Sequence, residues 1–412
     1  MKTCNVIGLG YIGLPTAIVI ANSDIEVFGV DINDDIIRSV NNCISHIKEP
    51  NIENELRQIV NKKKLKALKE PCVSDVFLIA VPTPFKSKTD VKIPSANLDY
   101  VFSAIKSILP FLKDGNLVIL ESTCPVGTTR EIDKFIKNQS NLNNVDLAYC
   151  PERVLPGNIL NELINNDRII GGINSSSSKK ASEFYSKFCK GSLHITSSEV
   201  AEITKLSENA YRDVNIAFAN ELSIICNKLN INHNEVIKLA NYHPRVNILN
   251  PGCGVGGHCI AVDPWFIAES VPDSSLLIQT SREVNNQKKM WSLNLIIEES
   301  KIFEIKKKRK PIIGYLGLTY KNDVCDLRES PSEEIALNLL DLGYDLMTCE
   351  PNLKKHEKIN LFDEEMVLSE SDIIVIMVAH KEFRKIKFEK YRIIDFCGIS
   401  FLNSTENKKV KI

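Results

Sequence analysis

Apolar and polar positions change period along this chain, and each change marks a different kind of element. Up to about residue 171, short apolar runs alternate with stretches of helical spacing. The runs Thr3–Ile7, Glu26–Val30, Val76–Val81, Leu117–Leu120, Val145–Tyr149 and Arg168–Gly171 predict strands of a parallel α/β sheet. From Ser198 to Leu229 the spacing is helical without a break, through Val200, Ile203, Leu206, Ala210, Val214, Ala217 and Leu222. Apolar residues occupy more than one face, which predicts a long helix buried between domains or subunits. A second helical pattern covers Gln287–Phe303. Beyond the basic run Lys306–Lys310 the alternation resumes, with strands at Ile312–Leu316, Tyr344–Cys349, Ile373–Val378 and Ile393–Phe396 and a helix at Ser332–Leu342. The polar tail from Asn403 is expected to be loose. The expected layout is an α/β domain over 1–197, a helical domain over 198–305 and a second α/β domain over 306–412.

Size and charge narrow the classes without deciding among them. A chain of 412 residues fits two or three domains, with 43% hydrophobic and 25% charged residues in an ordinary globular balance. A net charge of -1 gives no overall field toward nucleic acid or a membrane surface, so neither partner is expected. The run K-K-K-R-K sits directly before a strand pattern and reads as a solvated linker. The 12 cysteines are scattered, with no C-x-x-C pair, and the first ten residues start a strand rather than a signal peptide. A reduced, cytoplasmic protein is expected. Charge, Gly or Pro interrupts every apolar stretch before membrane-spanning length.

The first chemistry sits at the first strand end. Gly8-Leu9-Gly10-Tyr11-Ile12-Gly13 is G-x-G-x-x-G between a strand and a helix, and Asp31 ends the next strand. That context reads as a dinucleotide site. Gly8 allows the tight turn, Gly10 admits a pyrophosphate, Gly13 lets helix and strand pack, and the helix N-terminus faces the phosphates. Asp31 would bind ribose hydroxyls and repel a 2′-phosphate, favouring NAD over NADP. Thr83 and Thr123 end two further apolar runs, where ligands of doubly wound sheets bind; either is also a plain strand cap.

The second is the glycine-dense stretch Asn250–Pro264, N-P-G-C-G-V-G-G-H-C-I-A-V-D-P. It presents Cys259, with Asp263 four residues on. Cys259 has three readings: a buried structural thiol, a metal ligand with His258, Cys253 and Asp263 in a spacing that matches no zinc framework, or a nucleophile that traps an aldehyde and leaves from a thioester. On the long helix Lys205, Asn209 and Arg212 lie at i, i+4 and i+7 and form a polar stripe. The stripe is either a solvated face or the lining of an active site. In the second case Lys205 would favour the Cys259 thiolate and order a water, and Asn209 would donate to an oxyanion.

Together these motifs resemble the UDP-glucose/GDP-mannose dehydrogenase family of four-electron oxidoreductases. The matching segments run the whole length: V-I-G-L-G-Y-I-G-L-P at Val6, V-P-T-P at Val81, E-S-T at Glu121, P-E-R at Pro151, T-K-L-S-E-N-A at Thr204, G-V-G-G-H-C at Gly254, G-L-T-Y-K at Gly317 and D-L-R-E-S-P at Asp326. Within the family, C-P-E-R-V-L-P-G at Cys150, Y-R-D-V-N-I-A-F-A-N-E-L at Tyr211, H-P-R-V-N-I-L at His243 and G-G-H-C-I-A-V-D-P-W-F at Gly256 are similar to the UDP-N-acetyl-mannosamine dehydrogenase branch. Cys253 departs from that pattern, standing where Pro is expected, and leaves the loop's shape open.

The resemblance implies two Rossmann-like doubly wound domains joined by a central helical region with one long helix, an NAD cofactor and a UDP-sugar substrate. It implies oxidation at C6 through a Cys259 thiohemiacetal and thioester, with water held by Lys205 and Asp263, Asn209 assisting and Glu152 in the proton relay. It implies NAD contacts from Gly8, Gly10, Tyr11, Ile12, Gly13, Asp31, Thr83, Thr123 and Arg328. Arg328 is otherwise an ordinary surface ion pair with Asp326 or Glu329. It implies substrate contacts from Arg153, Val154, Lys205, Asn209, Arg212, His243, Arg245, Gly256, Tyr320 and Lys321. It also implies a homodimer built on the long helix, Arg245 reaching across, and a product that feeds polysaccharide synthesis. Another nucleotide-sugar 6-dehydrogenase, on UDP-N-acetylglucosamine, UDP-glucose or GDP-mannose, is one alternative. A non-catalytic NAD sensor is another, opposed by the joint presence of Cys259, Lys205, Asn209 and Asp263.

Overall fold

Strand residues of the N-terminal half alternate between two apolar cores. Val76 and Leu78 face one, Phe77 and Ile79 the other. A sheet buried on both faces is why these strands read as unbroken apolar runs. The computed structural model describes residues 1–86, 93–155, 157–257 and 259–403, the last two by backbone alone. His258 and the tail beyond 403 therefore lie outside the described residues. The chain divides into two units, Met1–Glu208 with Trp265–Pro272, and Asn209–Pro264 with Asp273–Ile412.

Among its described residues the first unit holds eight strands: β1 (Thr3–Ile7), β2 (Glu26–Val30), β3 (Leu65–Leu68), β4 (Val76–Ile79), β5 (Leu117–Leu120), β6 (Asp146–Tyr149), β7 (Arg168–Gly172) and β8 (Leu193–Ser197). Their order is β3-β2-β1-β4-β5-β6-β7-β8. The chain reverses its direction of growth across the sheet at the neighbours β1 and β4, which is where such sheets bind ligands. Sequence pattern left out β3 and β8. In β3 the exposed Lys66 separates the buried Leu65 and Ala67, and in β8 both His194 and Ile195 face outward. The expectation of a parallel sheet needs one correction, because β6 and β7 pair antiparallel through Ala148↔Gly172 and Tyr149↔Gly171. Apolar alternation reports which face a residue takes and says nothing about strand direction.

The second unit holds β9 (Ile312–Leu316), β10 (Asp345–Cys349), β11 (Ile373–Ile376) and β12 (Ile393–Asp395), all parallel, in the order β10-β9-β11-β12. The helix Pro331–Asp341 starts where the Ser330 side chain accepts the Glu333 N–H, with Pro at its first position. The helix expected at Gln287–Phe303 is Leu276–Lys307. Its added N-terminal turns bury Gln279, Ser281, Arg282 and Asn285, a polar inner face that hydrophobic spacing cannot find. The basic run is likewise only partly a linker. Lys306 and Lys307 complete the last helical turn, where cations suit the macrodipole, and Lys308 ends it in a left-handed conformation at φ 61.

The long central helix runs Ser198–Lys228, one residue short of expectation, and contributes residues to both units. Within the second unit it buries Ala210, Asp213, Ala217, Asn220 and Ser223 and exposes Tyr211, Phe218 and Ile225. Among the described residues no helix is long and apolar enough to cross a membrane.

Candidate active site

At the end of β1, Gly8 adopts φ +93, and a Cβ there would lie 2.6 Å from the Ala80 carbonyl oxygen. Only glycine fits that turn. Asp31, half-buried at the end of β2, accepts the Leu9 N–H on Oδ2 at 2.9 Å and the Asn33 N–H on Oδ1 at 2.9 Å. Its carboxylate is thereby aimed along the strand ends while lone pairs remain for further donors. Gly10 is exposed, and a Cβ there would meet nothing within 4 Å, so backbone faces open space at the first helix. Ser122 Oγ donates to Val81 O at 2.7 Å and ties the β4 and β5 ends together, each carrying one of the half-buried Thr83 and Thr123. Tyr11 points its hydroxyl to Glu49, which also accepts the Gly157 N–H at 2.7 Å.

Glu152 follows β6 and is 9% exposed. Its Oε2 accepts Arg168 Nη2 at 2.7 Å and its Oε1 the Arg153 N–H at 2.6 Å. Arg168 is buried between Glu152 and Glu121, lies over the Tyr185 ring, and Tyr185 donates to Glu121 at 2.7 Å. Burial pushes the Glu121 carboxyl up, against the pull of Arg168 and with the push of Glu152. The Arg153 guanidinium pairs with Glu208, while Val154 and Lys205 are half-buried nearby in sequence.

In the second unit the structure brings three expected residues into one connected stretch. Asn209 Nδ2 donates to Asp263 Oδ2 at 2.6 Å, both buried. The Asp263 N–H returns to the Cys259 carbonyl at 2.8 Å, so the half-buried thiol residue opens the turn into the helix Asp263–Ser270. The glycines before it are packed rather than slack. A Cβ on Gly257, at φ +80, would lie 2.7 Å from the Tyr320 ring, and one on Gly256 would lie 2.8 Å from Tyr320 Cβ. The loop is thin because an aromatic side chain fills the space beside it. Burial raises the Tyr320 hydroxyl, with Asp326 and Cys259 adding to the rise. Gly257 N donates to the Arg328 carbonyl at 3.0 Å, and the Arg328 side chain forms a fork with Asp326, Nη2 to Oδ2 at 2.6 Å. Arg212, His243 and Arg245 are exposed, and Lys321 is half-buried.

Residues 1–189, 199–287 and 314–397 match the NAD binding, central and UDP binding domains of the UDP-glucose/GDP-mannose dehydrogenase family. The UDP-N-acetyl-D-mannosamine dehydrogenase of Campylobacter jejuni is 46% identical over 96% of this chain and 99% of its own. The chain belongs to the UDP-glucose/GDP-mannose dehydrogenase family. A relative from Ralstonia solanacearum, named NDP-N-acetyl-D-galactosaminuronic acid dehydrogenase, is 44% identical over 97% of this chain and 96% of its own. The UDP-D-ManNAc dehydrogenase structure from Pyrococcus horikoshii superposes with a TM-score of 0.87 at 36% identity, covering 96% of both chains.

As a member of the UDP-glucose/GDP-mannose dehydrogenase family the chain is an NAD-dependent oxidoreductase with a nucleotide-sugar-binding domain. The cradle fits the cofactor: Gly8 forces the turn, Gly10 leaves its approach open, and Asp31 stands braced at the end of β2 with lone pairs left for hydroxyl donors. When bound, NAD accepts a hydride.

Several supporting residues escape sequence reading. Asn220 Oδ1 accepts the Gly252 N–H at 2.9 Å and anchors the start of the cysteine loop. Asn220 in turn bonds Asn285, Asn285 bonds Asp213, and Asp213 pairs with buried Arg282 at 2.6 Å. Each is a polar residue on an apolar face, a signal that is visible only once two helices are known to pack. Cys253, the departure from the family pattern, belongs to the apolar core with Leu293, Ile296 and Tyr315. Burial pushes its thiol up to about 12, which keeps it protonated and inert.

Proposed function

We propose that the chain oxidises UDP-N-acetyl-D-mannosamine at C6 to the uronate, with two NAD reduced per sugar. The observation that carries the reading is Cys259, presented at the end of a loop sealed against Tyr320, with the Asn209–Asp263 pair at its base. In this reading the C6 alcohol loses a hydride and a proton to give an aldehyde. Cys259 attacks it, and the thiohemiacetal loses a second hydride to leave a thioester. Water ordered by Lys205 and Asp263 hydrolyses the thioester and regenerates the thiol. The Asn209 amide, held through one hydrogen by Asp263, has a second hydrogen to offer the oxyanion. Covalent capture explains why the aldehyde need not leave between the oxidations.

The remaining assignments belong to the same proposal. Thr83, Thr123, Tyr11, Ile12 and Gly13 line the NAD cradle with Gly8, Gly10 and Asp31. Arg153, Val154, Arg212, His243, Arg245, Gly256, Tyr320 and Lys321 bind the nucleotide sugar, whose diphosphate suits Arg and Lys. Arg153, Arg328 and Glu152 already hold ion pairs, so each would exchange a partner to take part. The domain division 1–197, 198–305 and 306–412, a cytoplasmic location and a homodimer complete it. The Ralstonia relative favours a second reading, an N-acetylgalactosamine-type nucleotide sugar.

The test incubates the enzyme with NAD and a panel of UDP-N-acetylmannosamine, UDP-N-acetylgalactosamine, UDP-N-acetylglucosamine, UDP-glucose and GDP-mannose. Two NADH per UDP-N-acetylmannosamine with UDP-glucose inert is the expected result; a preference for UDP-N-acetylgalactosamine moves the reading to the second. Cys259→Ala is expected to abolish uronate formation while NAD affinity stays at the wild-type value. Full acid production by that variant would sink the covalent route.

A further inference from the structure

The sheet of the second unit ends in a copy of the cofactor cradle that is closed by a histidine. Gly8 N donates to Val30 O at 2.8 Å; Gly317 N donates to Cys349 O at 2.9 Å. Leu9 N reaches Asp31 at 2.9 Å; Leu318 N reaches Glu350 Oε2 at 2.7 Å. Asn33 N binds the other Asp31 oxygen at 2.9 Å, as Asn352 N binds Glu350 Oε1 at 2.9 Å. The two glycines share φ values of 93 and 95. The acids differ in what they face. Asp31 is half-buried at an open strand end, whereas the Glu350 side chain is 0% exposed and its Oε2 lies 3.0 Å from His380 Nε2. A ribose cannot reach it.

His380 is itself fully buried. Its Nδ1 takes the Asp323 N–H at 2.9 Å and faces the Asn352 amide at 3.1 Å. Both partners are donors, so Nδ1 is the acceptor and the ring proton sits on Nε2, donated to Glu350. Thr319 adds its N–H to Glu350 at 3.1 Å and its hydroxyl to the Lys321 carbonyl at 2.9 Å. Burial would raise Glu350, but the His380 hydrogen bond and the Leu318 and Asn352 N–H groups hold it well below the usual carboxylate range. It is a carboxylate throughout the neutral range. The pair therefore grips the segment Gly317–Asp323 at Leu318, Thr319 and Asp323. Tyr320 leaves from the middle of that segment, sets its Cβ beside Gly256 and lays its ring on Gly257, two residues before Cys259.

We propose that His380, through Glu350, is a positioning residue for the Cys259 thiol: it fixes the loop whose Tyr320 ring seats the backbone that presents the cysteine. This rests on Cys259 being the nucleophile. In this family member the strand ends that elsewhere hold a ribose hold a loop instead.

The test compares the full-length wild type with His380→Leu, His380→Gln and Thr319→Val. One arm needs no substrate: the rate of Cys259 alkylation by iodoacetamide, followed on the peptide by mass spectrometry. The other measures KM for whichever nucleotide sugar the wild type oxidises, and KM for NAD. His380→Leu is expected to change the alkylation rate several-fold and raise the sugar KM about tenfold or more, since small misplacements near a reacting group are costly. KM for NAD is expected to hold. His380→Gln, which keeps a donor for Glu350, is expected to restore most of the loss, and Thr319→Val to shift both readouts in the direction of His380→Leu. Unchanged alkylation and sugar KM in His380→Leu, or in Thr319→Val where the leucine variant fails to fold, would overturn the proposal. So would equal changes in both KM values, or a glutamine variant as impaired as the leucine one. If the wild type oxidises no nucleotide sugar, the functional reading fails, and the alkylation arm still decides the positioning role.

Discussion

Asp31 braces the fold at a strand end and, in the proposed reading, binds the cofactor there as well. Its two oxygens brace the backbone at Leu9 and Asn33, and lone pairs remain for further donors. Asp31→Ala is expected to weaken NAD binding about 10- to 100-fold, the loss of one or two hydrogen bonds to a charged acceptor at about 1.5–3 kcal/mol. It is also expected to relax discrimination against NADP, because the charge that repels a 2′-phosphate is gone. Titration of the variant with both cofactors checks this, and an unchanged preference would sink the assignment. Asp31, Gly8 and Gly10 were legible because backbone geometry sets their spacing within one βαβ unit. Cys259 and Asp263 were legible because they share one loop. Glu350, His380 and Arg168 were not. Their significance comes from burial against residues far off in sequence, and no local pattern records it.

At the scale of the element, the helix Leu276–Lys307 carries the most unusual burial. Lys288 is 2% exposed, donates to Ser223 Oγ at 2.7 Å, and lies 3.9 Å from the centre of the Trp291 ring. Phe396, His233 and Cys253 complete its surroundings. Burial pushes the ammonium down to about 7 from 10.5, with Cys253 opposing. The neutral amine is thus favoured in the folded state while the unfolded chain keeps the proton. The unfolded state binds more protons between pH 7 and 10.5, so this residue's destabilising contribution is full below pH 7 and fades as pH rises to 10.5. Lys288→Met is expected to stabilise the protein at neutral pH by about 1–4 kcal/mol, as replacing buried charge by an apolar side chain often does. The gap between variant and wild type is expected to narrow as the pH rises. Urea unfolding from pH 6.5 to 10 measures it; a variant less stable at every pH would show that the Ser223 and Trp291 contacts outweigh the desolvation. The same buried polar face is why sequence pattern placed the start of this helix eleven residues late. Apolar periodicity finds helices by their greasy side, and here the inner side is Gln279, Ser281, Arg282, Asn285 and Lys288.

At the scale of the molecule, the outer face of the central helix bears on the proposed homodimer. Tyr211, Phe218 and Ile225 are 71%, 55% and 47% exposed. They recur every seven residues, a spacing that drifts only about 20° per repeat and so keeps them on one stripe. A stripe of large apolar side chains on a helix marks an interface, and a two-fold axis lets the same stripe cover itself in a second copy. In such an interface each substitution acts twice. Burial of one large apolar side chain contributes about 1.5–3 kcal/mol, so two lost copies of Phe218 amount to about 3–6 kcal/mol. At about 1.4 kcal/mol per decade, Phe218→Glu is expected to weaken dimerisation by about two to four orders of magnitude. Sedimentation equilibrium over a concentration series reads it directly, and an unaltered dissociation constant would remove this stripe from the interface. The assay also reaches Arg245. If that arginine serves the partner's substrate, the kcat of Phe218→Glu falls with the dimer fraction on dilution. If it serves its own protomer, the monomer stays active, because the cradle on β1 and β2 and the loop carrying Cys259 are each complete within one chain.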